Sequence, residues 1–227
     1  MDGNGRWACQ QGKLRFEGHR AGIKAVKTVI QCCIKRGIPV LSLFAFSSEN
    51  WQRPREEVSF LMELFLEALQ KEVNELSLHG VRLIFSGDRT LLNPELALQM
   101  ERAEQLTADN QTLVLNVMVN YGGKWDITQA CRKLAEQVSA GKLKPEVITE
   151  EQVACHLSNH PFGDPDLLIR TSGEQRISNF FLWQLAYTEL YFTDILWPEF
   201  DEEAFEKALL DYSNRQRRYG VLPETTI

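Results

Sequence analysis

The chain has 227 residues, with 25 Lys and Arg against 31 Asp and Glu for a formal net charge of −6, and it is 44% hydrophobic and 25% charged. That balance excludes a general nucleic-acid binder, because neutralising a phosphate backbone needs a surplus of cations on one face. The absence of any run of about 18 apolar residues predicts no membrane-spanning helix.

Nothing resembling a Pro/Gly-rich linker or a low-complexity stretch interrupts the chain, so a single domain over 1–227 is expected. Five cysteines (Cys9, Cys32, Cys33, Cys131, Cys155) show no CxxC spacing. They read as reduced small hydrophobes, not as a disulfide framework or a zinc ribbon. The opening residues lack the basic and apolar regions of a secretory signal, so a cytoplasmic location is expected.

In chain order, the first feature is Met1-Asp2-Gly3-Asn4-Gly5-Arg6-Trp7, followed closely by Arg15, Gly18 and His19. Read as a loop, it can wrap a phosphate: glycines let backbone N–H groups converge on an anion, arginine supplies a two-pronged donor, and aspartate beside a diphosphate suits magnesium. A plain structural turn is the competing reading. A helix is predicted over 19–36 and a buried strand over Val40–Phe46.

The strand ends in Phe46-Ser47-Ser48-Glu49-Asn50-Trp51-Gln52-Arg53-Pro54. In an open α/β sheet, ligands bind beyond the carboxyl ends of strands, so this polar loop lies where a site belongs. It also reads as the lead-in to the next helix, with Pro54, Glu56 and Glu57 in the first turn. That helix, over 56–78, carries a wide stripe through Val58, Leu61, Met62, Phe65, Leu66, Leu69, Val73 and Leu76. The stripe either covers the sheet or lines one wall of a long apolar cavity.

Further strands are predicted at Val81–Ser86, Thr112–Val119 and Leu167–Thr171, with helices at 93–108, 124–140, 149–157 and 201–218. Strands alternating with helices predict an α/β fold, a central and mostly parallel sheet flanked by helices. His156 and His160 stand four apart without a partnering carboxylate, which favours a surface pair over zinc. Arg215, Arg217 and Arg218 fall at the end of the last predicted helix, where cations suit the dipole.

The third polar constellation follows the last predicted strand: Asp166-Leu167-Leu168-Ile169-Arg170-Thr171-Ser172-Gly173-Glu174-Gln175-Arg176-Ile177-Ser178-Asn179-Phe180. Arg170, Arg176 and Ser178 can form a second diphosphate clamp, against the alternative of solvated surface arginines. Neither a GxxxxGK[ST] loop nor a GxGxxG turn after a strand occurs, so nucleotide binding loses support. The aspartate-rich DDxxD box is also absent.

Six stretches in order, MDGNGRWA, GHRAG, FSSENWQRP, NYGGKWDI, RTSGEQRISNFFLWQ and AYTELYFTDILWPEF, resemble the signatures of the cis-prenyltransferase family, above all its undecaprenyl-length branch. The resemblance covers essentially the whole chain. It implies an Mg2+-dependent transferase that adds isopentenyl diphosphate repeatedly to farnesyl diphosphate, giving the undecaprenyl diphosphate from which the lipid carrier of cell-wall polysaccharide is made. It also implies a homodimer in the cytoplasm, with transient contact at the inner face of the membrane when product leaves.

By the same resemblance, Gly3, Asn4, Gly5, Arg6, Trp7, Arg15 and His19 cradle the allylic diphosphate and Asp2 is the first-choice catalytic residue and magnesium ligand. Arg170, Arg176, Ile177 and Ser178 hold isopentenyl diphosphate, and Glu189 takes part in magnesium binding, from the neighbouring subunit. Ser47, Ser48, Glu49, Trp51 and Arg53 order the loop over the reacting carbons. Asn50 joins Asp2 in the catalytic set, although a neutral amide is a poor base, and pyrophosphate or His19 is an alternative proton acceptor. The family loop has histidine where this chain has Gln175. The apolar tunnel expected for the growing chain has walls from Met62 and Leu66 on the long helix and from Ala45, Val81, Leu83, Phe85 and Leu113 on the strands, with Leu113 at the floor.

Overall fold

The computed structural model describes residues 1–216. Three parallel strands form its central sheet: β1 (Val40–Ser47), β2 (Val81–Ser86) and β3 (Leu113–Tyr121), side by side in the order β1-β3-β2. Leu43 pairs with Val117, and Leu83 with Leu115. Strand β3 lies between the other two and eight of its nine residues are buried. Its near-continuous apolar sequence is what a strand covered on both faces requires.

Helices supply the cover. Helices α1 (Asn4–Gln10) and α2 (Arg15–Arg36) precede β1; α3 (Arg55–Leu78) and α4 (Pro94–Leu106) are the crossovers into β2 and β3; α5 (Gly123–Ser139) follows β3. Ala25, Val29 and Ile30 of α2 and Val58 and Leu69 of α3 share one core with Leu43, Leu83 and Leu115 of the sheet. On a second, smaller core, Tyr121 meets Phe181 edge-on at 5.7 Å between ring centroids while Phe44 stacks on Phe180 at 4.6 Å. At 24 residues α3 is about 36 Å long, which lets it flank the whole depth of the sheet.

Two departures from the sequence expectation concern the ends of the chain. The opening segment is not a free loop: after Gly3 it winds into the short α1, and α2 starts at Arg15 instead of near 19. Gly18 makes this packing possible, because a Cβ there would stand 1.9 Å from the Asn4 carbonyl oxygen. The last helix, α7 (Glu202–Ser213), is shorter than 201–218, Arg215 lies beyond it, and Arg217 and Arg218 fall outside the described residues. The stretch 149–157 contains only the single turn and a half of α6 (Glu150–Ala154).

The fourth predicted strand does not join the central sheet. Strand β4 (Leu167–Arg170) pairs in parallel with β5 (Glu189–Phe192), a strand the sequence reading passed over, in a separate two-stranded sheet. A four-residue strand whose burial follows no clean alternation carries too little period-two signal to read. No helix among the described residues is long and apolar enough to cross a membrane.

Candidate active site

The carboxyl ends of β1 and β4 and the start of the chain meet at the mouth of one large cavity of about 1440 Å³. Met1 to Arg6, Arg15 and His19, then Ser47, Glu49, Asn50 and Arg53, then Arg170, Glu174, Arg176, Ile177 and Ser178 all line it. Three segments that are far apart in sequence thus converge on one rim.

Local backbone chemistry sets each segment. Gly3 takes φ of 104°, a left-handed value that costs a glycine little, and turns the extended Met1-Asp2 pair into α1. Asp2 is tied down by its main chain: its N–H donates to Thr171 Oγ1 and its carbonyl accepts from the same hydroxyl, both at 2.9 Å, and from the Trp197 N–H at 3.0 Å. Its carboxylate faces the site and accepts from Arg170 Nε and Nη2 at 2.9 Å each.

Arg170, the last residue of β4, also donates through Nη1 to Ser178 Oγ at 2.8 Å and to the Arg176 carbonyl. Arg6 donates to the Ser172 carbonyl at 3.0 Å, to Ser172 Oγ at 2.5 Å and to Glu174 Oε1 at 2.9 Å. The other oxygen of Glu174 pairs with Arg176 at 2.5 Å. Before and after Arg176 the chain turns, with Ser172, Gly173, Ser178 and Asn179 all at positive φ. Three of the four are not glycine, and such cost is characteristic of loops whose surroundings hold them for a function.

After β1 the chain makes a short 3-10 turn, Ser48–Gln52. Asn50 Oδ1 accepts from the Ser47 N–H at 3.1 Å, so in this state the amide closes its own turn. Glu49 accepts from Asn179 Nδ2 at 2.7 Å and from Ser48 Oγ at 3.1 Å. Burial alone would raise the Glu49 carboxyl, but the Asn179 amide and the local hydroxyl and backbone donors outweigh it and hold it below the ordinary carboxylate value. His19 is pushed the other way from a charged imidazole: burial first, and the Arg53 guanidinium second, lower its pKa from 6.5, and Glu57 only partly opposes this. The His19 to Glu57 separation of 3.9 Å is too long for a hydrogen bond, and Glu57 instead pairs with Arg53 at 3.1 Å.

Not every expected residue reaches the rim. Trp7, Ser48 and Trp51 do not line the cavity. The Trp7 indole donates outward to Glu199 at 3.1 Å beneath Lys13, and the Trp51 indole donates to Asn120 Oδ1 at 2.8 Å and braces the turn. Glu189 is also off the rim, its carboxylate paired with Arg215 at 2.9 Å. Among the expected tunnel residues, Ala45, Met62, Leu83 and Phe85 line the cavity whereas Leu66, Val81 and Leu113 do not. Val81 and Leu113 are paired with each other at the base of the sheet and fully buried.

Other contributors went unassigned in the sequence: Thr171 and Ser172, which fasten Asp2 and Arg6; Glu174; and Asn179, which also accepts from the Lys124 N–H at 2.9 Å. All four stand inside the polar run after β4. The one hint of Asn179 is chemical, since asparagine tolerates left-handed backbone better than most residues.

Among the described residues no group of three or more His, Cys, Asp or Glu side chains is arranged to hold a metal by itself. Asp2, a hard carboxylate at the rim with its side chain 43% exposed, nonetheless fits magnesium, which keeps most of its waters and needs only one or two protein carboxylates beside substrate phosphate.

An α/β sheet whose strand ends gather arginines and carboxylates at the mouth of a large, mainly apolar cavity has the chemistry to suit anionic head groups on hydrophobic tails. Residues 1–220 match the family model described as putative undecaprenyl diphosphate synthase, and the chain belongs to that family. It is 59% identical over 225 residues to the farnesyl-diphosphate-specific ditrans,polycis-undecaprenyl-diphosphate synthase of Legionella pneumophila, covering 99% of this chain and 94% of the relative. The enzyme of that name from Escherichia coli is 54% identical over 220 residues, 97% and 87% of the two chains.

Solved structures agree. Lavandulyl diphosphate synthase from Lavandula x intermedia, crystallised with dimethylallyl diphosphate, superposes with a TM-score of 0.94 at 38% identity over 97% of this chain and 95% of that one. A probable undecaprenyl diphosphate synthase from Campylobacter jejuni gives 0.80 at 31% identity over 88% and 92%.

Proposed function

We propose that this protein is a cis-prenyltransferase that condenses isopentenyl diphosphate repeatedly onto farnesyl diphosphate to make undecaprenyl diphosphate, the precursor of a lipid carrier for cell-wall polysaccharide. The observation that carries the reading is the convergence of Asp2, Arg6, Arg170 and Ser178 on the mouth of one apolar cavity. Identities of 54% and 59% to farnesyl-specific, long-chain enzymes favour this product over the short one named for the lavender relative at 38%.

In each cycle the bond between the first carbon of the allylic chain and its diphosphate oxygen breaks, and pyrophosphate leaves with the electron pair. The terminal carbon of the isopentenyl double bond bonds to that carbon, leaving positive charge on the methyl-bearing carbon, and the neighbouring carbon on the diphosphate side then loses a proton to form the new double bond. The negative charge that grows on the leaving group is the quantity the site must stabilise, and fixed donors that need no reorganisation do this best. Arg6 and Arg15, with the backbone of Gly3 to Gly5, hold the allylic diphosphate; Arg170, Arg176 and Ser178 hold the second. Asp2 would hold a magnesium ion, which would supply further neutralising charge to the diphosphate. His19, kept neutral by burial and by Arg53, can take a proton at neutral pH, as the departing pyrophosphate can; Asn50 orients the reacting carbons.

The hydrocarbon grows into the cavity as a tunnel. Its volume exceeds the usual 300–1,000 Å³ of small-ligand pockets, and each methylene it shelters from water contributes about 0.8 kcal/mol. Leu115, Val117 and Val119 line it from one face of β3; Leu113 is the next residue on that face and stands behind the floor. A homodimer, transient contact with a bilayer surface and a part for Glu189 across the subunit boundary complete the reading.

The test is incubation of purified protein with farnesyl diphosphate, labelled isopentenyl diphosphate and magnesium, with products separated by chain length. Products of eight additions support the proposal; a single condensation places the protein with the short-chain enzymes, and none at all refutes it.

A further inference from the structure

We infer that Glu174 is a positioning residue that sets the spacing between the two diphosphate clamps; this rests on the reading of the site given above. Its two carboxylate oxygens are divided between two arginines that the reaction uses for different substrates: Oε1 takes Arg6 Nη2 at 2.9 Å and Oε2 takes Arg176 Nη1 at 2.5 Å. The Glu174 side chain is 24% exposed, against 51% for Arg6 and 65% for Arg176, so the carboxylate is the most sheltered of the three groups.

The support beneath it is rigid. Ser172 and Gly173, both at positive φ, donate their N–H groups to the Ile195 and Thr193 carbonyls at 2.8 and 2.9 Å. Glu174 therefore projects from a loop anchored to the segment after β5. Arg176 stands on a loop and Arg6 projects from α1, where Ser172 also holds it; one anchored carboxylate shared between them makes their separation a property of the fold.

The consequence for chemistry is specific. Elongation needs the allylic carbon and the attacking double bond within about 3–3.5 Å, and an error of about 1 Å costs on the order of 100-fold in rate. A strut between the clamps serves that distance and not the affinity of either clamp alone. Glu174 carries a negative charge next to diphosphate, so its removal does not weaken anion binding through charge.

The full-length protein with Glu174→Gln and Glu174→Asp tests the assignment. Titration with inorganic pyrophosphate in EDTA reads the clamps alone, and steady-state elongation reads their relation. For Glu174→Gln we expect pyrophosphate affinity within about threefold of wild type or tighter, thermal stability nearly unchanged, and kcat for elongation lowered 10- to 100-fold. Glu174→Asp keeps the charge but is one methylene too short to span both partners, and is expected to lose kcat similarly. Wild-type kcat in Glu174→Gln, full activity in Glu174→Asp, or a pyrophosphate affinity that falls in step with kcat overturns the inference while leaving the proposed function intact. Wild-type protein that neither binds pyrophosphate nor elongates overturns both.

Discussion

Asp2 and Arg170 stand 168 positions apart in the chain, and their side chains meet at 2.9 Å. The pair joins the turn before α1 to the end of β4, and it presents one carboxylate and one guanidinium to the same rim of the cavity. Because the Asp2 main chain is held independently by Thr171 and Trp197, the carboxylate can change partner without the segment coming loose.

Asp2→Ala is therefore expected to reduce elongation by about 10²- to 10³-fold, the range for removal of one preorganised electrostatic group. Circular dichroism should show a folded protein. Retained turnover in that variant would remove Asp2 from the reaction.

Arg170→Lys is not conservative at a position that serves Asp2, Ser178 and the Arg176 carbonyl at once. A lysine offers one compact ammonium in place of a planar fork. We expect KM for isopentenyl diphosphate to rise about tenfold or more with a smaller change for farnesyl diphosphate, measured by varying each substrate at saturation of the other.

His19 gives a pH prediction with a definite sign. Its folded pKa lies below 6.5, through burial first and Arg53 second, so the unfolded chain binds the proton more readily. The fold has its full stability above the unfolded value and loses stability as pH falls through 6.5 toward the folded pKa. Proton NMR of the His19 ring should give a midpoint below the ordinary imidazole value; Arg53→Gln should raise it and Glu57→Gln should lower it further.

Leu113→Ala should move the product distribution to longer chains by opening space behind Leu115, at a stability cost of about 2–5 kcal/mol for a fully buried leucine. Unchanged product length with a lowered melting temperature would confine Leu113 to packing.

Asp126 is expected to be the costliest polar residue to truncate. It is 2% exposed and accepts from the Tyr121 hydroxyl at 2.9 Å, the Ser158 N–H and hydroxyl at 3.0 and 2.7 Å, and Gln184 at 3.2 Å. Asp126→Ala leaves those donors unmatched and should cost about 3 kcal/mol, read as a fall in Tm of roughly 6–12 °C for a chain of this size.

The amino-acid sequence by itself determined the class of fold and the three polar runs that carry the chemistry. Strands such as Leu113–Tyr121 and helices such as Arg55–Leu78 announce themselves because their apolar periods are set by local geometry over many residues. The runs Asp2 to Arg6, Ser47 to Arg53 and Arg170 to Ser178 stand out because such densities of Gly, Arg, Ser and Asn are unusual beside buried strands. Only the tertiary structure decided which candidate residues, within those runs and beside them, face the rim. Trp7 and Trp51 point to structural partners, Glu189 is taken by Arg215, and Glu174 and Asn179 become cross-links. The β4-β5 pairing and the position of α1 against Gly18 were likewise settled by packing. Orientation depends on contacts between residues from 26 positions apart, Glu189 and Arg215, to 192 apart, Trp7 and Glu199, and no local pattern encodes them.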